Sequence, residues 1–314
     1  MVEKFNESDN KYEDFNIDEL KEKNKYEIKY KIQKLFVLHD SRILTVQKYY
    51  DENGDDKYRI YINNPKKDFK CELILECSRV YNIFQTDDDN IIIKEKYNIK
   101  VIKIKKNSVL GIQDIKDTYR NEMYNISNKI FITNNGKYYQ FYSYENGQLA
   151  VKEEKKIVDN MYDLCEIDEK NIAIYYYKSG RVYGYNAFLI FYNISYYYED
   201  KTLKLGDGEY GGKIGLLNKE LLILERNEKL VVVDIKNKVI KKEIKFEHSV
   251  HSIIPLNEKI FLIETGSYIY QYYIDYSKNI QLEGKKNLYT DNLNKYPGNE
   301  LIVGNEKKII IFGY

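Results

Sequence analysis

A tyrosine-rich stretch at residues 175–187, YYYKSGRVYGYNA, is the part of this sequence best suited to contact a partner. It combines aromatic rings with an arginine, the two kinds of side chain that dominate the energetic centres of protein interfaces. The candidate binding residues are Tyr175, Tyr176, Tyr177, Arg181, Tyr183 and Tyr185. Because the chain contains 34 tyrosines, packing inside the protein is the alternative for several of these rings, and both interpretations stay open.

Histidines and clustered carboxylates are the residues that could hold a metal ion or move protons. His248 and His251 lie three residues apart, and on an extended chain they do not share a face, so a metal ion would need a carboxylate or His39 from elsewhere. Residues 87–90, DDDN, could bind a divalent cation or act as an acid–base pair. They also suit a solvated turn, because Asp and Asn hydrogen-bond the local backbone. We assign no catalytic residue, metal or cofactor.

Glycines and lysines raise the possibility of phosphate binding. Residues 206–212, GDGEYGG, lack the Gly-Lys-Ser/Thr sequence of a nucleotide-binding loop, and a strand follows them where such loops lead into a helix. A turn between structural units is the expected role. Lysines cluster at 103–106 and 236–245, where they interleave with Ile and Val as on a solvated edge strand.

The composition indicates a folded protein with balanced charge. Hydrophobic residues make up 43% of the chain, and 50 basic residues face 49 acidic ones. A dedicated nucleic-acid or anionic-membrane binder normally carries a basic excess, so neither partner is expected. The three cysteines lack metal-type spacing, the first 24 residues lack the apolar core of a signal peptide, and no run is long enough to span a membrane. We expect a cytoplasmic protein with reduced thiols.

The elements that must position these residues recur along the chain. The clearest unit is 213–247, in which four short apolar runs rich in β-branched residues are separated by polar turns, a pattern that predicts four strands. Its second run aligns with similar runs 39 to 49 residues apart. The seven positions taken as equivalent are Ile43, Ile91, Ile130, Ile172, Leu221, Ile260 and Leu301. A period near 40 with strands throughout is typical of propeller blades.

The third strand of each unit is also visible in the sequence. These strands are predicted at 57–62, 99–104, 138–144, 187–193, 229–234, 268–274 and 308–312. The last unit reaches Tyr314 without a fourth strand, and residues 26–30 precede the first unit without a partner. We predict that residues 26–30 complete the last unit, because a closed ring removes exposed sheet edges.

In period, strand count and closure, residues 25–314 resemble the WD40-like seven-bladed β-propellers. The resemblance implies an all-β fold, a closed ring of seven four-stranded antiparallel blades whose last blade is completed by an N-terminal strand. The Gly-His and Trp-Asp dipeptides of that superfamily are absent, and Val233-Asp234 is the nearest match to the second. Residues 1–24 carry eight acidic and four basic side chains and are predicted to form a flexible acidic tail.

These features favour a non-enzymatic scaffold, a monomeric repeat protein whose rim loops bind a protein partner. The insertion at 175–187, in the hairpin of the fourth unit, and the mouth of the central channel are the expected contact surfaces. One alternative is a propeller hydrolase or lyase that acts on a sugar or small molecule through carboxylates at the channel. A second alternative is a protein that binds phosphate or phosphoinositides, whose affinity would fall steeply with salt.

Overall fold

Each predicted unit folds into one small antiparallel sheet. The computed structural model describes residues 16–313 except 66–69, 106–107, 118–122, 128, 135–137, 158–159, 180–184, 197, 209–211, 276, 278, 289–291, 297–299 and 306–307. In this part of the chain, 28 strands form seven sheets of four strands each. We number the sheets as blades 1 to 7 in chain order. The seven-bladed, all-β prediction is confirmed.

The first half of the strands runs from the N-terminal strand to blade 3. Strand β1 covers Lys21–Glu27 and belongs to blade 7. Blade 1 contains β2 (Lys31–Val37), β3 (Ile43–Tyr50), β4 (Asp56–Asn64) and β5 (Lys70–Cys77). Blade 2 contains β6 (Val80–Gln85), β7 (Asn90–Glu95), β8 (Asn98–Lys105) and β9 (Ser108–Lys116). Blade 3 contains β10 (Met123–Ser127), β11 (Ile130–Asn134), β12 (Tyr139–Glu145) and β13 (Gln148–Lys155).

The second half runs from blade 4 to the C-terminal strands. Blade 4 contains β14 (Met161–Asp168), β15 (Asn171–Ser179), β16 (Tyr185–Asn193) and β17 (Tyr198–Gly208). Blade 5 contains β18 (Ile214–Leu216), β19 (Leu221–Arg226), β20 (Lys229–Asp234) and β21 (Val239–Lys245). Blade 6 contains β22 (Ser252–Pro255), β23 (Ile260–Glu264), β24 (Tyr268–Ile274) and β25 (Ile280–Asn287). Blade 7 contains β26 (Asn292–Tyr296), β27 (Glu300–Asn305) and β28 (Lys308–Gly313), with β1 as its outermost strand.

Both ends of the chain contribute to blade 7, as predicted. Strand β1 pairs antiparallel with β28, from Lys21 opposite Gly313 to Glu27 opposite Lys308. The strand begins earlier than the predicted segment 26–30, so the expected tail boundary at 24/25 falls inside β1. Blade 7 in turn packs against β2 of blade 1. The ring is therefore closed by backbone hydrogen bonds between its two termini.

Residues 16–20 extend this closure inward from β1. They form a short 3-10 turn capped by Asn16, and the Ile17 side chain is completely buried in the core between blades 6 and 7. The Ile17 N–H donates to Gln271 Oε1 at 2.7 Å, and Lys286 Nζ donates to the Leu20 carbonyl at 2.8 Å. Residues 1–15 lie outside the described part of the chain, so their flexibility stays a prediction.

Apolar side chains from neighbouring blades interleave to form the cores of the ring. The seven aligned positions all lie in the first two residues of a second strand, as the repeat predicts. Their equivalence is wrong by one residue in three blades. Ile130, Leu221 and Ile260 contact the following blade, whereas the other four positions contact the preceding one. Since strand side chains alternate between the two faces of a sheet, a shift of one residue changes the neighbour that each side chain meets.

The outermost strand of each blade carries a β-bulge. In every described pairing between a third and an outermost strand, the register skips a residue of the outermost strand. The skipped residues include Lys23, Ile74, Leu110, Lys152, Leu205, Lys241 and Glu283. A bulge twists an edge and disrupts its row of N–H and C=O groups, so these edges are poor templates for a further strand.

The turns of the blades lie on two opposite faces of the ring. Because neighbouring strands are antiparallel, the turns from first to second and from third to fourth strand share one face, which we call the first face. The turns from second to third strand and the links between blades share the other, which we call the second face. Residues 51–55 of blade 1 connect a second to a third strand and so belong to the second face, where β15 of blade 4 ends at Ser179 and β16 begins at Tyr185. None of the described helices is long and apolar enough to cross a membrane.

Candidate protein-binding face

The tyrosine-rich stretch of blade 4 lies mostly inside the protein. Tyr175 is completely buried between blades 4 and 5, and Tyr176 is buried between blades 3 and 4. Tyr177 is half-buried and stacks on the Tyr162 ring with 4.6 Å between centroids. Arg181 and Tyr183 lie outside the described residues, as does the side chain of Tyr185, whose backbone pairs with Ser179.

The Tyr175 ring supports the base of this hairpin. Its hydroxyl is buried and finds no hydrogen-bond partner among the described residues, and burial raises the pKa of that hydroxyl far above its ordinary value. A side chain at Gly212 would collide with the Tyr175 ring and would lie 2.3 Å from the Glu225 carbonyl oxygen. Gly212 is therefore needed for close packing at this point, while residues 209–211 of the predicted turn lie outside the described residues.

Other tyrosines of the second face are exposed, and none of them is among the site residues predicted from the sequence. Tyr50 in blade 1 is 67% exposed, Tyr97 in blade 2 is 43% exposed and Tyr138 in blade 3 is 38% exposed. Tyr268 begins the third strand of blade 6 and is half-buried. These rings are distributed over several blades, so no single motif reveals them. The signal that could have found them is their distance from the start of the second strand, because Tyr97 lies six residues after Ile91.

Basic side chains cover most of these rings. The guanidinium of Arg59 lies 4.2 Å from the centroid of Tyr49, and Lys285 Nζ lies 3.7 Å from the centroid of Tyr268. Cations this close to a ring are attracted by the negative face of its π-system. Of the cation–π contacts among the described residues, the Lys238–Phe191 contact alone lies on the first face.

In the blade 1 hairpin a cation, two rings and a carboxylate contact one another. Arg59 is fixed between Tyr49 and Glu76, with its Nε donating to Glu76 Oε1 at 2.8 Å. Tyr30 approaches Tyr49 with 5.5 Å between centroids. A hydrogen bond from Lys29 and the nearby positive charges lower the pKa of the Tyr30 hydroxyl. Because the rings and the cation hold one another in place, a partner would not have to order them, which reduces the entropic cost of binding.

Many short turns of the first face satisfy their polar groups within the turn, as Asp51 also does in the 51–55 turn of the second face. In three of these turns one side-chain oxygen accepts two backbone N–H groups, at 2.8–3.0 Å. The accepting residues are Asp168, Asn218 and Asn257. Such turns leave few hydrogen-bonding groups for a partner.

The acidic residues at 87–90 belong to one of these turns. The Tyr144 hydroxyl of blade 3 donates to both Asp88 oxygens, at 2.7 and 2.9 Å, and Asn90 Nδ2 donates to Asp88 Oδ2 at 2.9 Å. Partial burial raises the pKa of Asp88, but hydrogen bonds from Thr86 and Tyr144 outweigh it and hold that pKa below the ordinary value. The carboxylate thus connects blades 2 and 3. No group of three or more His, Cys, Asp or Glu suited to a metal ion occurs among the described residues.

The histidines take part in separate local contacts. His251 Nδ1 accepts the Gly266 N–H at 3.2 Å, and the His248 ring packs against Tyr268 and Tyr270. His39 lies on the first face, 3.5 Å from Asp89 Oδ1. The structure does not bring the three histidines together.

A buried ion pair beneath the second face was also not predicted from the sequence. Lys94 Nζ lies 2.8 Å from Asp117 Oδ2, and both side chains are fully buried. The same nitrogen donates to the Glu95 carbonyl at 2.8 Å. Burial lowers the pKa of Lys94. The pair fixes the link that follows β9 and needs no partner to explain it.

Comparisons with known proteins identify the fold. No protein-family model and no curated protein sequence matches the chain. A chain in the crystal structure of a mitotic checkpoint complex superposes with a TM-score of 0.70 at 7% identity, covering 93% of both chains. The AfRom2 CNH domain superposes with a TM-score of 0.63 at 11% identity, covering 93% of this chain and 99% of that domain. At these identities the likeness concerns the fold alone, and the chain has the seven-bladed β-propeller fold that its repeats predict.

Proposed function

We propose that this protein is a non-enzymatic interaction scaffold that binds a protein partner through its second face. The observation that carries the proposal is the contrast between the two faces. Exposed or half-buried tyrosines held by basic side chains lie on the second face, whereas Lys238–Phe191 is the one cation–π contact of the described residues on the first face. Tyrosine and arginine supply a large, rigid contact area at low entropic cost, which suits an interface.

The comparisons add general support for a protein partner. The structure that contains the first similar propeller is described as a complex. Fold alone does not determine activity, so the proposal depends on the second face.

A monomeric ring in the cytoplasm is part of the proposal. Bulges along all seven outermost strands disfavour edge-to-edge pairing of two rings. Cys77 and Cys165 are unpaired, as expected for a reducing compartment.

The proposal is tested by capture of partners with matched variants. The second-face variant combines Tyr50→Ala, Tyr97→Ala and Tyr138→Ala. The control combines Tyr196→Ala, Tyr198→Ala and Leu282→Ala, three exposed residues towards the first face and outer edge. Each protein is immobilised, exposed to lysate of the source cell and analysed by mass spectrometry, after circular dichroism has confirmed folding.

The outcomes separate the second face from the rest of the ring. We expect a stoichiometric partner that wild type and control retain and the second-face variant loses. Equal loss in the control would place binding elsewhere, and the absence of any partner for folded wild type would refute the scaffold. A third variant, Tyr177→Ala with Arg181→Ala and Tyr183→Ala, tests the blade 4 insertion without disturbing the buried Tyr175.

A further inference from the structure

Five basic residues of the second face lie over tyrosine rings and have no carboxylate within 4 Å among the described residues. They are Lys29 over Tyr30, Arg79 over Tyr81, Lys96 over Tyr97, Lys178 over Tyr176 and Lys285 over Tyr268. Their distances to the ring centroids are between 3.7 and 5.7 Å. The five sites belong to blades 2, 4 and 6 and to the links on either side of blade 1.

Other cations in the same protein do have acidic partners. Lys48, over Tyr50, lies 2.7 Å from Asp56, and Arg59 is bonded to Glu76. On the first face, Lys238 contacts both Phe191 and Asp200. The five unpaired cations therefore do not reflect a lack of acidic residues in the chain, which has 49. Their positive charge is available to an incoming group.

From this pattern we infer that the partner presents an acidic segment to the second face, an inference that rests on the proposed function. The ring beneath each cation fixes its position and leaves its outer N–H groups free to donate to a carboxylate. Four of the five rings are exposed or half-buried and their edges supply apolar contact, whereas the ring beneath Lys178 is buried. Because the whole chain carries a net charge of only +1, the attraction is local and acts within a Debye length of about 10 Å at 0.1 M salt.

A single-stranded nucleic acid fits this surface less well. Proteins that bind one use open aromatic faces on which bases stack, set in a strongly positive groove. In this protein the ring faces are covered by its own lysines and arginines, and the net charge is close to zero. Carboxylates need the cations alone and leave the ring faces covered.

The test uses the full chain and three probes in fluorescence anisotropy. The probes are a labelled peptide of repeated Asp-Glu-Phe-Gly units, a matched peptide of Lys-Lys-Phe-Gly units, and oligo-dT of similar length. The second-face variant combines Lys96→Gln, Lys178→Gln and Lys285→Gln. The control combines Lys170→Gln, Lys219→Gln and Lys236→Gln, exposed lysines of first-face turns that have no carboxylate within 4 Å in the described part of the chain. Both variants change the net charge by the same amount.

We expect wild type and control to bind the acidic peptide alike, and the second-face variant to bind about tenfold more weakly with a smaller dependence on salt, as for the loss of three exposed ion pairs. Equal weakening in both variants would indicate diffuse electrostatics and overturn the inference. So would tighter binding of the basic peptide or of oligo-dT. If wild type does not bind the acidic peptide, while the Tyr50, Tyr97 and Tyr138 variant still loses a cellular partner, the inference is wrong and the scaffold proposal is retained. If no partner is captured either, both fail.

Discussion

The hairpins of blades 1 and 4 are alike in length and both are rich in tyrosine, yet their rings lie in different places. In blade 4, Tyr175 and Tyr176 fill the cores on either side of the blade. In blade 1, Tyr49 is half-buried beside Arg59, and Tyr50 is 67% exposed. The count of tyrosines therefore does not distinguish a binding surface from a core.

Position along the second strand explains the difference. Tyr175 lies three residues after Ile172, at a level where the neighbouring blades still cover both sides of the sheet. Tyr49 and Tyr50 lie six and seven residues after Ile43, beyond that cover. At about 3.3 Å per residue, three residues raise a side chain by about 10 Å, roughly the thickness of a packed sheet layer. Height above the anchor decides whether a ring packs inside or reaches the rim.

The largest effect is expected from opening the ring next to blade 1. Deleting residues 1–27 removes β1, uncovers the edge of β28 and takes Ile17 from the core between blades 6 and 7. We expect this chain to aggregate or to lose cooperative unfolding, because blade 7 is left with a free edge. Amides of blades 7 and 1 should lose hydrogen-exchange protection before those of blade 4.

The matched truncation removes residues 1–15 alone and keeps the capped turn at 16–20. It should melt within a few degrees of the full chain. Equal melting temperatures for the two truncations would contradict the closure of the ring by β1.

Truncating one tyrosine in each hairpin measures how much a buried and an exposed ring contribute to stability. Tyr175→Ala leaves a cavity between blades 4 and 5 and should lower the free energy of unfolding by about 3–5 kcal/mol. Tyr50→Ala removes an exposed ring and should change it by no more than about 0.5 kcal/mol. Urea titration of both variants measures the difference, and similar losses would show that height does not determine packing.

The fold could be predicted because its signals are periodic. Four short strands per unit recur seven times, and the predicted third strands at 229–234 and 268–274 coincide with β20 and β24. The ring closure followed from a missing strand at one end and a spare one at the other. What failed was the one-residue register of Ile130, Leu221 and Ile260, because an all-apolar run does not reveal which side chain faces which neighbour.

The candidate site was harder to predict because it is assembled from different blades. Lys285 meets Tyr268 from an adjacent strand, and Tyr30, in the link from β1 to β2, meets Tyr49 at the end of β3. No spacing in the sequence joins these pairs. The three neighbouring tyrosines at 175–177 predicted a binding site instead, although strand alternation places Tyr175 and Tyr176 in the cores on opposite sides of the sheet.

Alkaline pH should lower the stability of the protein through its buried tyrosine hydroxyls. Burial raises the pKa of Tyr175, so the folded state retains that proton more tightly than the unfolded chain, in which tyrosine ionises near a pH of about 10. Its contribution to stability is therefore complete below that pH and is lost as pH rises further, at up to about 1.4 kcal/mol per pH unit. Tyr272, whose pKa is raised to about 12, adds to the effect.

Tyr175→Phe separates this hydroxyl from the ring. The variant keeps the packing and removes a buried polar group without a partner, so at neutral pH it should be as stable as wild type or more stable by about 1 kcal/mol. Its stability should also fall less steeply above a pH of about 10. Urea titrations on both sides of that pH measure the two slopes, and identical slopes would show that Tyr175 is not the titrating group.

The smallest effect is expected at the rim of blade 1, where electrostatics act in the open. Lys29 and Arg59 both lower the pKa of Tyr30, and the hydrogen bond from Lys29 is the larger cause. Lys29→Gln should therefore raise that pKa more than Arg59→Gln does, while Lys57→Gln, a change at an ion pair with Asp51 in the same hairpin, should leave it unchanged. Tyrosine labelled with carbon-13, with Tyr30→Phe for assignment, follows the titration by nuclear magnetic resonance.

Arg59→Gln should lower the free energy of unfolding by no more than about 1 kcal/mol, because a half-exposed cation with one ring and one carboxylate contributes little to folding. A large loss of stability instead would mean that the rings of the blade 1 hairpin stabilise the fold, as those of blade 4 do. They would then not be available to a partner.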